Sequence, residues 1–132
     1  KLTLDYDVSI ANHISSFDNE IYIDLNYNKE YNSFDFKDRK TDVVLNFKSF
    51  DDIVISLQIP NGYKVTKVPD NISISTDDYT IIMKYEVKEN VLTYTKQFSF
   101  KNGIIKSSKF NDWKNHYAAI QKNYSEQVVL TK

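Results

Sequence analysis

Residues 59–69, which read IPNGYKVTKVP, constrain the fold of this chain more than any other feature. Pro60 ends an alternating run and Asn61-Gly62 supplies the residues of a tight reversal. Alternation resumes at Tyr63 and continues until Pro69 stops it. This order of strand, tight turn and strand predicts an antiparallel β-domain. Residues 59–69 contain no pattern of catalytic residues.

Most of the remaining chain also alternates apolar with polar residues, which is typical of strands with one buried face. The predicted strands cover residues 2–10, 21–27, 43–47, 53–59, 63–68, 72–76, 79–87 and 92–100. The first two of these are expected to pair, and the last two form the clearest predicted hairpin. Residues 12–19 are predicted as a polar turn. Residues 28–42 are predicted as a long, charged, exposed and partly mobile connection.

The periodicity changes after Asn102-Gly103 from two residues to three or four. Apolar side chains then recur at helical spacing, which predicts one amphipathic helix over Phe110–Ser125. The stripe that it is expected to bury consists of Phe110, Trp113, Tyr117, Ile120 and Tyr124. Ser107 or Ser108 is a candidate cap for its start, and Asp112 suits the helix dipole. Residues 127–131 resume strand character and are predicted to close the domain.

Length and composition favour one folded domain over residues 1–132. The hydrophobic fraction is 41%, with Tyr 10 and Phe 8, which is enough for an aromatic-rich core. The predicted fold class is all-β: an antiparallel β-sandwich, immunoglobulin-like or related, with one C-terminal amphipathic helix and a terminal strand. The periodicity favours the sandwich but does not by itself exclude a closed barrel. The chain opens in a strand-like pattern, so we expect it to be a fragment of a longer multidomain protein.

The net charge and the residue content exclude several classes of partner and of site. Lys+Arg 17 against Asp+Glu 18 leaves a net charge of −1, so no general attraction to nucleic acid is expected. No apolar run approaches the roughly 20 residues that span a bilayer, so no membrane insertion is expected. Cys 0 excludes disulfides, a thiol nucleophile and thiolate metal ligands.

No pattern of reactive residues predicts an enzyme. His13 and His116 are far apart in the sequence, and His116 lies one helical turn after Asp112, where the two can form a surface pair. Paired carboxylates at 5/7, 51/52 and 77/78 read as a solvated strand face and two turns, without the spacing of a calcium loop. We therefore expect no catalytic, metal or cofactor-binding residues, and no cofactor.

Exposed aromatic residues are the remaining candidates for a binding role. Tyr22 faces away from the predicted apolar side of its strand, and Tyr31, Phe34 and Phe36 lie in the long connection with Arg39. These five residues are the predicted interaction surface. Their aromatic rings are suited either to packing and interdomain contact or to stacking on sugar rings.

The order of the motifs resembles a known bacterial family. Ile59-Pro60, Gly62-Tyr63-Lys64-Val65 and Val68-Pro69 are similar to its signature, and the late hairpin, aromatic helix and QVVLTK ending also match. The chain resembles the C-terminal β-sandwich domain of unknown function that follows a transglutaminase-like domain in exported bacterial proteins. The similarity is best over residues 53–132. The family's catalytic Cys-His-Asp set belongs to the transglutaminase-like domain and has no counterpart here.

This resemblance implies a non-catalytic accessory or interaction domain of a transglutaminase-like or protease-like protein, in a periplasmic or cell-surface setting. Its expected partners are the upstream domains of the same polypeptide, and a protein or glycan ligand. The alternative is a carbohydrate- or cell-surface-binding module that uses the exposed aromatic residues.

Overall fold

The computed structural model describes residue 7 and residues 13–45 and 48–132. Within these residues the chain forms ten strands and one α-helix. The strands are β1 (Ile14–Phe17), β2 (Glu20–Ile23), β3 (Val43–Val44), β4 (Phe50–Gln58), β5 (Lys64–Lys67), β6 (Ile72–Ser75), β7 (Tyr79–Lys88), β8 (Val91–Phe100), β9 (Ile104–Ile105) and β10 (Val128–Thr131). The helix α1 (Phe110–Ser125) follows a 3-10 turn at Ser107–Lys109 and precedes β10.

Two four-stranded antiparallel sheets share one core. The first has the strand order β1-β2-β10-β5 and the second has the order β4-β8-β7-β6, while β3 pairs with β9 in a small separate sheet. Inward side chains of both large sheets and of α1 belong to a single buried cluster. The predicted antiparallel β-fold with a C-terminal helix and a terminal strand is therefore confirmed.

The β7–β8 hairpin is the longest pairing in the described chain, as the sequence predicted. Its register runs from Tyr79 opposite Phe100 to Lys88 opposite Val91. Successive side chains of a strand point to opposite faces, so every second residue enters the core. Glu89 adopts a left-handed φ of 51° at the reversal, between the ends of the two strands.

The helix occupies the predicted residues. The buried members of its apolar stripe are Trp113, Ile120 and Tyr124. The prediction of a serine cap was wrong. Lys109 occupies the cap position without a side-chain cap bond, because Ser107 and Ser108 belong to the preceding 3-10 turn. That turn is tied to the β3 side of the domain, since the Ser107 N–H donates to the Asp42 carboxylate at 2.8 Å.

The first described hairpin corrects the prediction of a polar turn at residues 12–19. β1 pairs with β2 around a tight reversal in which Asp18 has a φ of 51°. All four β1 residues are exposed, so this strand lacks the alternation by which a half-buried strand is recognised. The strand predicted over residues 2–10 lies outside the described residues apart from Asp7. Phe47, at the end of the predicted third strand, also lies outside them.

Two further boundaries differ from the prediction. β2 ends at Ile23, although Leu25 beyond it is still buried. β4 begins at Phe50, so Asp51 and Asp52 lie in the strand and pair with β8 instead of forming a turn. Asp77 and Asp78 do lie at a bend, as predicted.

The reversal at Pro60–Tyr63 forms as predicted but has a different role from a hairpin turn. The Tyr63 N–H donates to the Pro60 carbonyl at 3.1 Å, and Gly62 has a φ of 84°, which glycine adopts without steric cost. β4 and β5, on either side of it, belong to different sheets. The turn is therefore a corner between the two layers.

Asp42, which contacts Lys106 and Ser107, is expected to make the stability of the domain depend on pH. The Ser107 N–H and the Lys106 ammonium, in that order, hold the pKa of its carboxyl at about 2, below the ordinary value of 3.8. Between these two values the unfolded chain binds more protons than the folded one, so the free energy of unfolding must fall as the pH is lowered through this window. We expect Asp42→Asn to make the stability less steeply dependent on pH there.

Urea unfolding at a series of pH values between 2 and 5 measures how steeply the free energy of unfolding depends on pH, for the wild type, for Asp42→Asn and for a control variant. Asp38→Asn is the matched control, because Asp38 is exposed in the same connection. Equal slopes for the wild type and Asp42→Asn would contradict the assignment.

Candidate functional site

A cleft lies between α1 and the chain that joins β2 to β3, which we call the β2–β3 connection (residues 24–42). Its volume is about 240 Å³. It is lined by Phe34, Asp35, Phe36, Lys37, Arg39, Ser107, Phe110, Asn111, Trp113, Lys114 and Tyr117. Three residues of the predicted interaction surface, Phe34, Phe36 and Arg39, are therefore brought together at one site.

Three aromatic side chains of α1 hold the β2–β3 connection in place. Tyr124 donates to the carbonyl of residue 30 at 3.1 Å, and Tyr117 donates to that of residue 32 at 2.6 Å. The Trp113 indole N–H donates to the carbonyl of Phe34 at 2.7 Å. The donors lie progressively nearer the N-terminus of the helix, whereas the acceptor carbonyls lie progressively later in the connection, two residues at a time. The connection therefore runs antiparallel to the helix over these residues, and one wall of the cleft is attached to the other.

Half-buried phenylalanine rings form the floor of the cleft. The Phe36 ring lies 4.9 Å from that of Phe110 and 5.7 Å from that of Trp113, measured between ring centroids. Phe34 packs between Phe100 and Trp113, at 6.3 Å from each. The prediction that the connection is exposed holds for most of its polar residues, but Asn26 is buried and Glu30 is partly buried. It was wrong for these rings, because the inner face of β8 and the helix offer them apolar surface to cover.

Tyr31 also belongs to the connection, but its side chain does not line the cleft and packs against the second sheet. Its ring packs 5.0 Å from Phe98 and 4.9 Å from Phe100. Its hydroxyl donates to the Asp51 carboxylate at 2.8 Å, and burial raises its pKa to about 12. The backbone has a φ of 59°, which is uncommon for a bulky residue. Tyr31 is thus a packing residue.

Tyr22 is separate from the other four predicted residues. It lies on the outward face of the first sheet, paired with Val129 of β10, as its position between Ile21 and Ile23 predicted. Its hydroxyl donates to the Glu20 carboxylate, and this bond raises the pKa of the phenol.

Cations dominate the rim of the cleft. Lys37, Arg39 and Lys114 line it together with the carboxylate of Asp35, so the ionised groups of the lining carry a net charge of +2 (three minus one). Arg39 is oriented by its own loop: Nε donates to the Thr41 carbonyl and Nη2 to the Asp42 carbonyl, each at 3.0 Å.

A buried ion pair supports the connection from below. The Lys96 side chain is 3% exposed and points inward from β8, and its Nζ lies 2.5 Å from the Glu30 carboxylate. The same ammonium donates to the Asn28 carbonyl and lies 5.7 Å from the centre of the Tyr124 ring. These contacts satisfy a charge that would otherwise be costly to bury.

The residues with acid–base chemistry are engaged in local bonds. His116 Nδ1 lies 2.8 Å from the hydroxyl of Tyr79, a residue whose pKa is raised to about 12 by burial, so His116 packs against β7. The Lys109 ammonium, followed by Asn102, lowers the pKa of Asp78. Across residues 7, 13–45 and 48–132, no group of three or more His, Asp or Glu residues is placed to hold a metal ion. No helix within the same ranges is long and apolar enough to span a membrane.

The prediction from the sequence included only one wall of the cleft. It assigned Phe110, Trp113 and Tyr117 to the buried stripe of the helix and gave Lys114 no role. The signal that it missed is the spacing of Phe110 and Lys114, which are four residues apart and therefore lie side by side at the edge of that stripe. A half-buried aromatic residue beside a cation marks the point where the packed face of the helix meets solvent.

Comparison with known proteins gives a family for this fold and cleft. No curated protein and no solved structure matched the chain. A family model described as "Domain of Unknown Function with solved-structure structure (DUF3858)" matches residues 19–130. The match includes the whole second sheet, the β2–β3 connection and α1, and it leaves out β1 and the last residue of β10 in the first sheet. The chain therefore belongs to the DUF3858 family of domains of unknown function.

Proposed function

We propose that this domain is a non-catalytic interaction module of an exported bacterial protein that also carries a transglutaminase-like or protease-like domain. In this proposal the cleft between α1 and the β2–β3 connection docks another domain of the same polypeptide or a protein partner. The parent protein would act in the periplasm or at the cell surface. The motif resemblance supports this context, and membership of DUF3858 is consistent with it.

The observation that carries the proposal is the composition of the cleft. Half-buried aromatic rings at the floor and cations at the rim are the arrangement of a protein interface, where an apolar centre is surrounded by polar groups. The walls are tied together by the three aromatic hydrogen bonds from α1, so the cleft exists before a partner arrives. Such preorganisation reduces the entropic cost of binding.

The same contacts favour a protein partner over the carbohydrate-binding alternative. A sugar-stacking platform needs an accessible ring face. Tyr31 and Phe34 instead pack against Phe98, Phe100 and Trp113, inside the domain. Tyr22 is distant in the fold and cannot complete a shared platform with Phe36.

A substitution that fills the cleft tests the proposal. Asn111 is exposed on α1 and lines the cleft, so Asn111→Trp is expected to obstruct it without disturbing the core. We expect this variant to lose at least about tenfold in affinity for the upstream domains of the parent protein, the equivalent of about 1.4 kcal/mol. Isothermal titration calorimetry or pulldown with the purified domains measures the loss.

Asn115→Trp is the matched control, because Asn115 is exposed on the same helix and does not line the cleft. It should bind like the wild type. Equal binding by both variants would place docking elsewhere on the domain. Absence of binding in trans, together with full activity of a parent protein that lacks this domain, would remove the interaction role altogether.

A further inference from the structure

The cleft differs in charge from the chain as a whole. The protein has a net charge of −1, whereas the ionised groups lining the cleft sum to +2. The lysines that form ion pairs in the described chain do not line the cleft. They are Lys29, Lys84, Lys96, Lys106, Lys109 and Lys122. Lys37, Arg39 and Lys114 are not in that set. The rim is therefore a local cationic surface on a slightly acidic domain.

Arg39 is prepared for a carboxylate in particular. A guanidinium has five N–H donors in a planar fork, and here the edge formed by Nε and Nη2 is occupied by the Thr41 and Asp42 carbonyls. Those two bonds fix the plane of the group and leave the edge formed by Nη1 and Nη2 directed away from them. This second edge has the geometry of a two-point hydrogen bond to a carboxylate.

The cleft as a whole is about the size of one or two side chains. Pockets for drug-sized ligands usually hold about 300–1,000 Å³, and the volume here is about 240 Å³. A more open depression, lined by Ser33–Arg39 and Val43, shares part of its lining with the cleft. Its two cations are balanced by the carboxylates of Asp35 and Asp38, so the excess positive charge is confined to the cleft. An extended peptide can place an apolar anchor against Phe36 and Phe110 and run its backbone over this depression.

Together these observations point to the chemistry of the partner. We propose that the cleft binds an acidic peptide segment of a protein partner, with an apolar side chain against Phe36 and Phe110 and a neighbouring carboxylate on Arg39. Lys37 and Lys114 supply the surrounding positive potential, which speeds the encounter and selects against basic segments. This inference rests on the proposed interaction function and specifies the kind of segment that is recognised.

Titration of the ¹⁵N-labelled chain with synthetic peptides, followed by NMR, tests the inference. The probe is a short peptide that alternates glutamate with phenylalanine and leucine, and its matched control has glutamine in place of every glutamate. We expect the acidic peptide to shift the backbone amides of residues 34–39 and 110–117, and the glutamine peptide to bind at least about tenfold more weakly. Arg39→Gln should weaken the acidic peptide by about tenfold, as expected for loss of a charged hydrogen bond. Lys88→Gln, an exposed change on β7, should leave its binding unchanged.

Other outcomes overturn the inference in distinguishable ways. Equal binding of both peptides at the cleft would reject selection for carboxylates and leave the interaction function intact. Shifts outside the cleft, no shifts at millimolar peptide, or preference for an acidic oligosaccharide over the peptide would each reject an acidic peptide as the occupant. The Asn111→Trp experiment with the natural upstream domains tests the interaction function independently of these results.

Discussion

Trp113→Ala is expected to lower the free energy of unfolding by about 3–5 kcal/mol, the cost of removing a large buried aromatic side chain. Trp113 is 1% exposed, and its ring contacts aromatic rings from the connection and from the second sheet. Truncation leaves a cavity among these rings and also leaves the Phe34 carbonyl without its donor. For a domain whose total stability is about 5–15 kcal/mol, this is a large fraction.

Urea unfolding followed by far-ultraviolet circular dichroism measures this effect, because Trp113 is the sole tryptophan and its fluorescence is lost in the variant. Trp113→Phe separates the two contributions. It retains a ring but removes the N–H donor and part of the volume, so we expect a loss of about 1–2 kcal/mol. Asn115→Ala, on the exposed side of the helix, should change stability by no more than about 0.5 kcal/mol. A Trp113→Ala variant as stable as Asn115→Ala would contradict the packing described here.

Glu30→Ala is the second large expected effect, with a loss of about 3 kcal/mol or more in the free energy of unfolding. Removing this carboxylate leaves the Lys96 ammonium in the core with the Asn28 carbonyl and the Tyr124 ring as its remaining contacts. A buried charge that has lost its counter-ion costs more than the pair itself contributes. For the same reason, the double variant Lys96→Met/Glu30→Gln should recover most of the loss.

The exposed pair Lys84–Glu86 is a matched control within the same hairpin. Its ions are 3.0 Å apart, but both side chains are about half exposed, at 51% and 49%. Glu86→Ala should therefore cost no more than about 1 kcal/mol. Urea unfolding of the wild type and of these three variants provides the comparison. If Glu30→Ala costs no more than Glu86→Ala, or if the double variant is less stable than Glu30→Ala, the account of the buried pair is wrong.

Local periodicity was sufficient to predict two kinds of element: those whose pairing partner is near in the sequence, and those whose apolar face continues over the whole element. The helix α1 was predicted with its observed ends, since its aromatic residues recur every three or four positions over its whole length. The β7–β8 hairpin was predicted because both strands alternate and only a short turn separates them. β1 escaped prediction because an exposed strand carries no alternation.

The candidate site was predicted only in part, because it is made of two segments that lie far apart in the sequence, residues 34–39 and 107–117. Phe34, Phe36 and Arg39 were identified as unusual residues in a polar connection, but the sequence does not state what an aromatic ring in a loop will cover. The hydrogen bond from Trp113 to Phe34 links positions separated by 79 residues. Only folding brings that donor to that carbonyl.

By itself, the sequence determined the class of this protein: antiparallel strands, a tight reversal at Gly62 and one aromatic helix, because backbone preferences and side-chain periodicity act over a few residues. The tertiary structure decided which sheet each strand joins, that Lys96 enters the core and that the connection forms a cleft with α1. Lys96 occupies an inward position of β8, yet its burial depends on Glu30, 66 residues away. Burial of a charge or a loop depends on a partner distant in the chain, and no local pattern specifies that partner.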